Sequence, residues 1–220
     1  MKLEGLKINF LGDSITAGAH AGGPELIYWN VLKSENGLAE ARGYGAGGSR
    51  IARQQNPNPE LKFDYQEFCR RYVDMDDDAD VVVVFGGTND YGHGDAPIGT
   101  MDDRTPDTFY GALHYLYTGL INKYPTATIV VMTPIHRYDE YNPRGEGRKT
   151  EDGEPLITYV NIIKEVASYY SLPTLDLWSL SGLQPNVPIL REKFNPDGLH
   201  PNTEGHARIA HRLAGFLKSL

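Results

Sequence analysis

Five short apolar runs, separated by stretches of helical periodicity, organise the chain. Ile8-Asn9-Phe10-Leu11 reads as the first strand and Leu38-Ala39-Glu40-Ala41 as a weak second one. Val81-Val82-Val83-Val84-Phe85 is β-branched and apolar on both sides, the pattern of a central strand covered on both faces. Ile129-Val130-Val131-Met132 repeats that pattern, and Thr174-Leu175-Asp176-Leu177 is a shorter version. Between the runs, residues 24 to about 35 predict a helix. Thr105 suits an N-cap and Pro106 the first helical position; Phe109, Leu113, Leu116, Leu120 and Ile121 then form one stripe before Pro125 stops it. Pro155 opens another helix, with Leu156, Val160, Ile163, Ala167 and Tyr170 on one face. The last begins near Thr203 and turns Ile209, Leu213, Phe216, Leu217 and Leu220 inward. Strand–helix alternation of this kind predicts an α/β fold, a parallel sheet with helices on both faces. No repeat or linker divides the 220 residues, so one domain is expected over 1–220. Two stretches lack periodicity: 137–153, charged and glycine-containing, and 179–196, rich in proline. Loops of that length in a compact domain are usually functional or disordered, and the first reads as a lid, an interface or a mobile excursion.

Charge and composition narrow the partners. A net charge of −8 argues against nucleic acid, which is bound by clustered Lys and Arg. The acidic run Asp74-Met75-Asp76-Asp77-Asp78-Ala79-Asp80 lacks the glycine and terminal glutamate of a calcium loop and reads as a solvated lead-in to the valine strand. Cys69 is the single cysteine, so an intramolecular disulfide is impossible; its Phe68/Tyr72/Val73 surroundings suggest a small buried residue. No run is long enough to span a bilayer. The first residues carry Glu4 and Lys7 where a signal peptide needs an apolar stretch, so a soluble, unexported, cytoplasmic protein without a membrane partner is expected.

The candidate chemistry follows the predicted strands, at the edge where open α/β sheets bind ligands. Gly12-Asp13-Ser14-Ile15-Thr16 comes directly after the first strand; taken alone, Ser14 can equally cap a helix. Gly43-Tyr44-Gly45-Ala46-Gly47-Gly48-Ser49 allows backbone N–H groups to approach a ligand, although a plain turn has the same composition. Gly86-Gly87-Thr88-Asn89-Asp90 closes the valine strand, and Asn-Asp suits a turn. Asp197-Gly198-Leu199-His200-Pro201 is the most informative. A carboxylate three residues before an imidazole can take its Nδ1–H and leave Nε2 free to accept a proton.

Together these four segments, in this order and at these spacings, resemble the SGNH/GDSL hydrolase family over nearly the whole chain. The resemblance implies a flavodoxin-like three-layer α/β/α sandwich with a five-stranded parallel sheet, and a serine esterase working through an acyl-enzyme. It implies Ser14 as nucleophile, His200 as general base and Asp197 as the acid that orients it. The N–H groups of Ser14 and Gly48 (Gly47 being the alternative) and the Asn89 side chain would form the oxyanion hole. It implies no cofactor and no metal. Ile15 stands in place of the leucine in the family's nickname, and Gly43 where an asparagine often precedes the second motif. Small acyl esters, especially acetyl groups on carbohydrate, are the expected substrates, since many such enzymes occur in the family. His93 and His136 are weaker candidates for substrate binding, and a homo-oligomer is open. Two other readings stand beside this one. A metal-dependent phosphoesterase would use Asp13, Asp197 and His200 as hard and imidazole ligands. A non-catalytic sugar- or nucleotide-binding module would use the same sheet edge, although no phosphate-binding glycine motif follows a strand.

Overall fold

Val81–Phe85 forms the buried centre of the molecule because none of its five side chains offers a polar atom to either face. In the computed structural model, residues 1–62, 66–141 and 153–220 are described. The sheet comprises β1 (Lys7–Gly12), β2 (Glu40–Gly45), β3 (Val81–Phe85), β4 (Thr128–Met132) and β5 (Thr174–Leu175). All neighbours pair in parallel, in the order β2-β1-β3-β4-β5. The strand order reverses between β1 and β3, the switch point at which loops diverge and leave a crevice. Gly12 is level with Gly45 on one side and Phe85 on the other, so the segments that follow these three strands emerge side by side.

Alternation along each strand sends side chains to two separate cores. Ile8, Phe10, Val81, Val83, Phe85 and Val130 meet α1 (Tyr28–Asn36) and α7 (Thr203–Ser219) through Tyr28, Leu32, Ile209, Leu213 and Leu217. Leu11, Val82, Val84, Ile129 and Val131 meet α3 (Phe109–Lys123) and α4 (Leu156–Tyr169) through Leu113, Leu116, Val160 and Ile163. Each such fully buried aliphatic side chain contributes roughly 1.5–3 kcal/mol. The outcome is the expected three-layer sandwich with five parallel strands. At the opposite end of the sheet, Asp78 pairs with Lys7 and Arg42, and Asp80 accepts the Lys7 N–H. The acidic run thus closes the start of β1 and β2, far from the crevice.

Several local expectations need correction. Thr108, not Thr105, caps α3, its hydroxyl accepting the Gly111 N–H; residues 105–108 form the turn before it. The last helix starts at Thr203 as expected, capped by Asn202, but Leu220 at its end is exposed rather than turned inward. The predicted helix from Pro24 is broken at Ile27, whose extended backbone separates a 3-10 turn over Pro24–Leu26 from α1. The second strand starts two residues later than expected and takes in the first part of the glycine segment. Gly43 lies within it, and Trp29 packs so close that a Cβ at this position would come within 2.5 Å of its Cζ2. The stretch Gly86–Asp90 is not a simple turn: Thr88–His93 forms α2. Likewise 179–196 is not irregular throughout, since α5 (Leu177–Leu180) and α6 (Pro188–Phe194) enter it. Of the charged loop 137–153, most lies outside the described residues. Cys69 is buried as expected, and burial pushes its thiol up to about 12, too high for a thiolate nucleophile at neutral pH. Among the described residues no helix is long and apolar enough to cross a membrane.

One buried histidine gives the fold a measurable pH dependence. His206 on α7 accepts the Tyr28 N–H at Nδ1, faces the Ala19 carbonyl with Nε2 and stacks on the Tyr28 ring. Burial pulls its pKa down from 6.5 to about 4, against the smaller opposing pull of the Ala19 carbonyl. Between those values the unfolded chain binds a proton that the folded chain refuses. Stability from this group is therefore complete above pH 6.5 and lost as pH falls toward 4, by roughly 3 kcal/mol at about 1.4 kcal/mol per pK unit. The stability gap between wild type and His206→Asn, measured by urea unfolding, should shrink by that order between pH 7 and pH 4. A gap independent of pH would contradict the assignment.

Candidate active site

Four segments converge at the C-terminal ends of β1, β2 and β3. Ser14 sits two residues beyond β1 in a turn held by Ala17 N–H to Asp13 O and Ala19 N–H to Ser14 O, at 2.9 Å each. Its hydroxyl reaches His200: Oγ lies 2.9 Å from Nε2 across 186 positions of sequence. The neighbouring Asp13 points back into the chain, its Oδ1 accepting the Ile15 N–H, and burial pushes its pKa up to about 6. Arg71 closes the floor of this region, donating to Gly12 O and Tyr44 O at 2.7 Å each and to Ser49 Oγ. It therefore ties the ends of β1 and β2 to the glycine segment; burial lowers its pKa to about 10, and it stays charged at neutral pH.

The loop before α7 presents the acid and the imidazole. Gly198 takes a left-handed backbone (φ 82°), and Asp197 Oδ1 accepts the N–H groups of Leu199 and His200 at 2.9 and 2.7 Å. This leaves Oδ2 for the imidazole, 2.7 Å from His200 Nδ1. Partial burial pushes the Asp197 carboxyl up, but the two amides and the imidazole together outweigh it and hold the group below the usual carboxylate range. An ionised carboxylate can only accept, so the ring proton sits on Nδ1 and Nε2 is left to accept the Ser14 hydroxyl. Serine, histidine and aspartate thus form one continuous hydrogen-bonded chain, the arrangement that raises the nucleophilicity of a hydroxyl.

Two further groups follow β2 and β3 at the same end of the sheet. Asn89 is on the first turn of α2, buried to 4% exposure, with Nδ2 donating to Ser49 O at 3.1 Å. Gly48 adopts φ 73°, the left-handed region that only glycine enters without strain. Asp90, one residue on, accepts the N–H groups of Ile51 and Ala52 at 2.9 Å each and so locks the glycine segment to α2.

The remaining sequence candidates are distributed differently. His93 lies behind Asn89, its Nε2 3.2 Å from Asn89 Oδ1. His136 is held by the buried Glu140, 2.9 Å from each carboxylate oxygen, and packs on Trp178. His20 was not anticipated. It takes a left-handed backbone (φ 61°), stacks on His200 with ring centres 5.1 Å apart, and places Nε2 3.8 Å from Asp197 Oδ2. No local pattern marks it, since the contact joins residues 180 apart. Among the described residues, the one group of three His, Cys, Asp or Glu ligand atoms close enough to share an ion is His20, Asp197 and His200. Asp13 is not part of it, so the phosphoesterase ligand set read from the sequence does not assemble. A cleft of about 370 Å³ lies beside Asp197, lined by Tyr91, Arg137, Tyr138, Asp139, Gly198 and Leu199.

Comparison with known proteins bears on the family and the fold. The profile of the GDSL-like lipase/acylhydrolase family matches residues 10–208. A Lactobacillus plantarum protein of known crystal structure is 31% identical, with a TM-score of 0.83 over 98% of each chain. A possible lipase from Chitinophaga pinensis is 22% identical, with a TM-score of 0.69 over 97% of this chain and 98% of that one. A carbohydrate acetylesterase family member from Sinorhizobium meliloti is 17% identical, with a TM-score of 0.64 over 97% and 98%. No curated protein matches the chain.

Proposed function

Since the chain belongs to the GDSL-like lipase/acylhydrolase family, whose members hydrolyse esters, we propose that it is a serine esterase in which Ser14, His200 and Asp197 act together on small acyl esters. The observation that carries this reading is the unbroken hydrogen-bonded chain Ser14–His200–Asp197, assembled from opposite ends of the sequence. Ser14 Oγ attacks the ester carbonyl carbon as its proton passes to His200 Nε2. The resulting imidazolium is stabilised by the Asp197 carboxylate and protonates the departing alkoxide, giving an alcohol and an acyl-serine. Water then attacks the acyl carbon, giving up its proton to His200, and the collapse returns the acid and a protonated Ser14. In each half, negative charge gathers on the carbonyl oxygen. Fixed donors stabilise it best: the Asn89 Nδ2–H and the N–H groups of Ser14 and Gly48.

The acyl group is proposed to be acetyl, carried on a carbohydrate. Two features support this. The cleft beside Asp197 is lined by charged and phenolic side chains, which suit a hydroxylated leaving group better than a long hydrocarbon. A structural neighbour also carries the name carbohydrate acetylesterase. A series of p-nitrophenyl esters from acetate to palmitate, with acetylated sugars alongside, tests both levels. Turnover should be highest for acetate, fall with chain length, and extend to the acetylated sugars. Preference for palmitate would overturn the acyl assignment, and absence of turnover throughout would overturn the esterase.

A further inference from the structure

Arg50 is among the most deeply buried side chains in the molecule, at 1% exposure, although it makes no contact with Ser14, His200 or Asp197 in the hydrogen-bonded chain above. Its Nη1 lies 3.1 Å from Gly48 O and 3.2 Å from His93 Nδ1. On its other side, His93 Nε2 is 3.2 Å from Asn89 Oδ1, and Asn89 Nδ2 is 3.1 Å from Ser49 O. Ser49 is bonded through the backbone to both Gly48 and Arg50, so these contacts close into a ring.

The chemistry of guanidinium fixes every direction in that ring. Arginine has only donors, so His93 Nδ1 must be the acceptor and carries no proton. The neutral ring then bears its proton on Nε2 and donates it to Asn89 Oδ1. With its oxygen committed to His93, the Asn89 amide turns its NH2 end toward Ser49 O, and the second N–H of that group is not used in this bond. Were His93 the other tautomer, its bare Nε2 would face the Asn89 oxygen, acceptor against acceptor, and only the Ser49 carbonyl would hold the amide that way. The orientation that an oxyanion donor needs is thus set by an arginine two bonds removed.

We infer that His93, held by Arg50, is a positioning residue that orients the Asn89 amide for the oxyanion. The same arginine clamps the Gly48 carbonyl, so one buried cation steadies both the side-chain donor and the backbone segment on which the other donor lies. This inference rests on the reading of Asn89 as oxyanion donor. It gives His93 a role beside the substrate contact expected from the sequence, and it accounts for a histidine four positions after Asn89 on α2: the i, i+4 spacing places the two side chains on one face.

The test is a mutant cycle on acetate ester hydrolysis. Asn89→Ala should lose roughly a hundred- to a thousandfold in kcat. His93→Leu should lose tens of fold, with KM unchanged, because the misaligned donor is missed only in the transition state. His93→Gln, whose amide can both accept from Arg50 and donate to Asn89, should recover most of that loss. In His93→Leu/Asn89→Ala the loss should match Asn89→Ala alone, since the histidine acts through the asparagine. A His93→Leu enzyme with wild-type kcat would overturn the inference, as would a raised KM with kcat kept, or losses that multiply in the double variant. Thermal unfolding of each variant identifies any that fail to fold; the His93→Gln comparison then decides, and a His93→Gln enzyme that melts like wild type but is as slow as Asn89→Ala also overturns it. Wild-type enzyme that hydrolyses no ester would instead sink the esterase reading itself, so the two failures are separable.

Discussion

Replacing Ser14 with alanine should reduce ester hydrolysis by about a millionfold in kcat, and His200→Ala should cost about as much. The reason is geometric. In the proposed mechanism the acceptor 2.9 Å away makes the hydroxyl nucleophilic, so removing either end removes the same step. The double variant Ser14→Ala/His200→Ala should therefore be little slower than either single one. What remains should be the modest acceleration from binding and oxyanion donors alone. Steady-state assays at high enzyme concentration, with single-turnover controls, read this directly. Losses that multiply in the double variant would mean that the two residues serve separate steps.

Asp197→Asn should lose about ten-thousandfold while folding normally. Oδ1 already accepts the N–H groups of Leu199 and His200, so the asparagine must keep its oxygen there. Its NH2 group then faces His200 Nδ1, which is forced to accept, and the ring proton moves to Nε2. An imidazole protonated at Nε2 cannot take the Ser14 proton. The defect lies in the tautomer rather than in the placement of the ring. Imidazole 15N chemical shifts should accordingly report the proton on Nδ1 in wild type and on Nε2 in the variant. A variant that stayed within tenfold of wild type would mean that Asp197 merely anchors the loop.

The sheet was largely legible in the sequence because three of its strands are buried on both faces. Val81–Phe85 and Thr128–Met132 have no alternative to a central position, and their residues announce it by β-branching. The edge strand β2 was misplaced by two residues because its half-exposed glycines and charged residues carry no such pattern. The short helices α2 and α6 were missed for a related reason: six or seven residues are too few to develop a stripe, although Pro188 offered a start signal. The motif residues were legible because each sits next to a strand end or a helix start, where local sequence fixes position. Their joining was not, since the fold alone decides which loops meet. Arg50, His93 and His20 show where that boundary falls. Their contacts link positions 43 or 180 apart, and a buried arginine reads in sequence like any surface charge.

The central claim is that the Ser14 hydroxyl is the atom that takes up the acyl group. Treatment of the intact protein with an organophosphonate ester, followed by peptide mass spectrometry, tests it most directly. The expected result is a single adduct on Ser14, absent from Ser14→Ala and greatly slowed in His200→Ala. An enzyme that turns over esters but leaves Ser14 unmodified, or labels another residue in its place, would contradict the account.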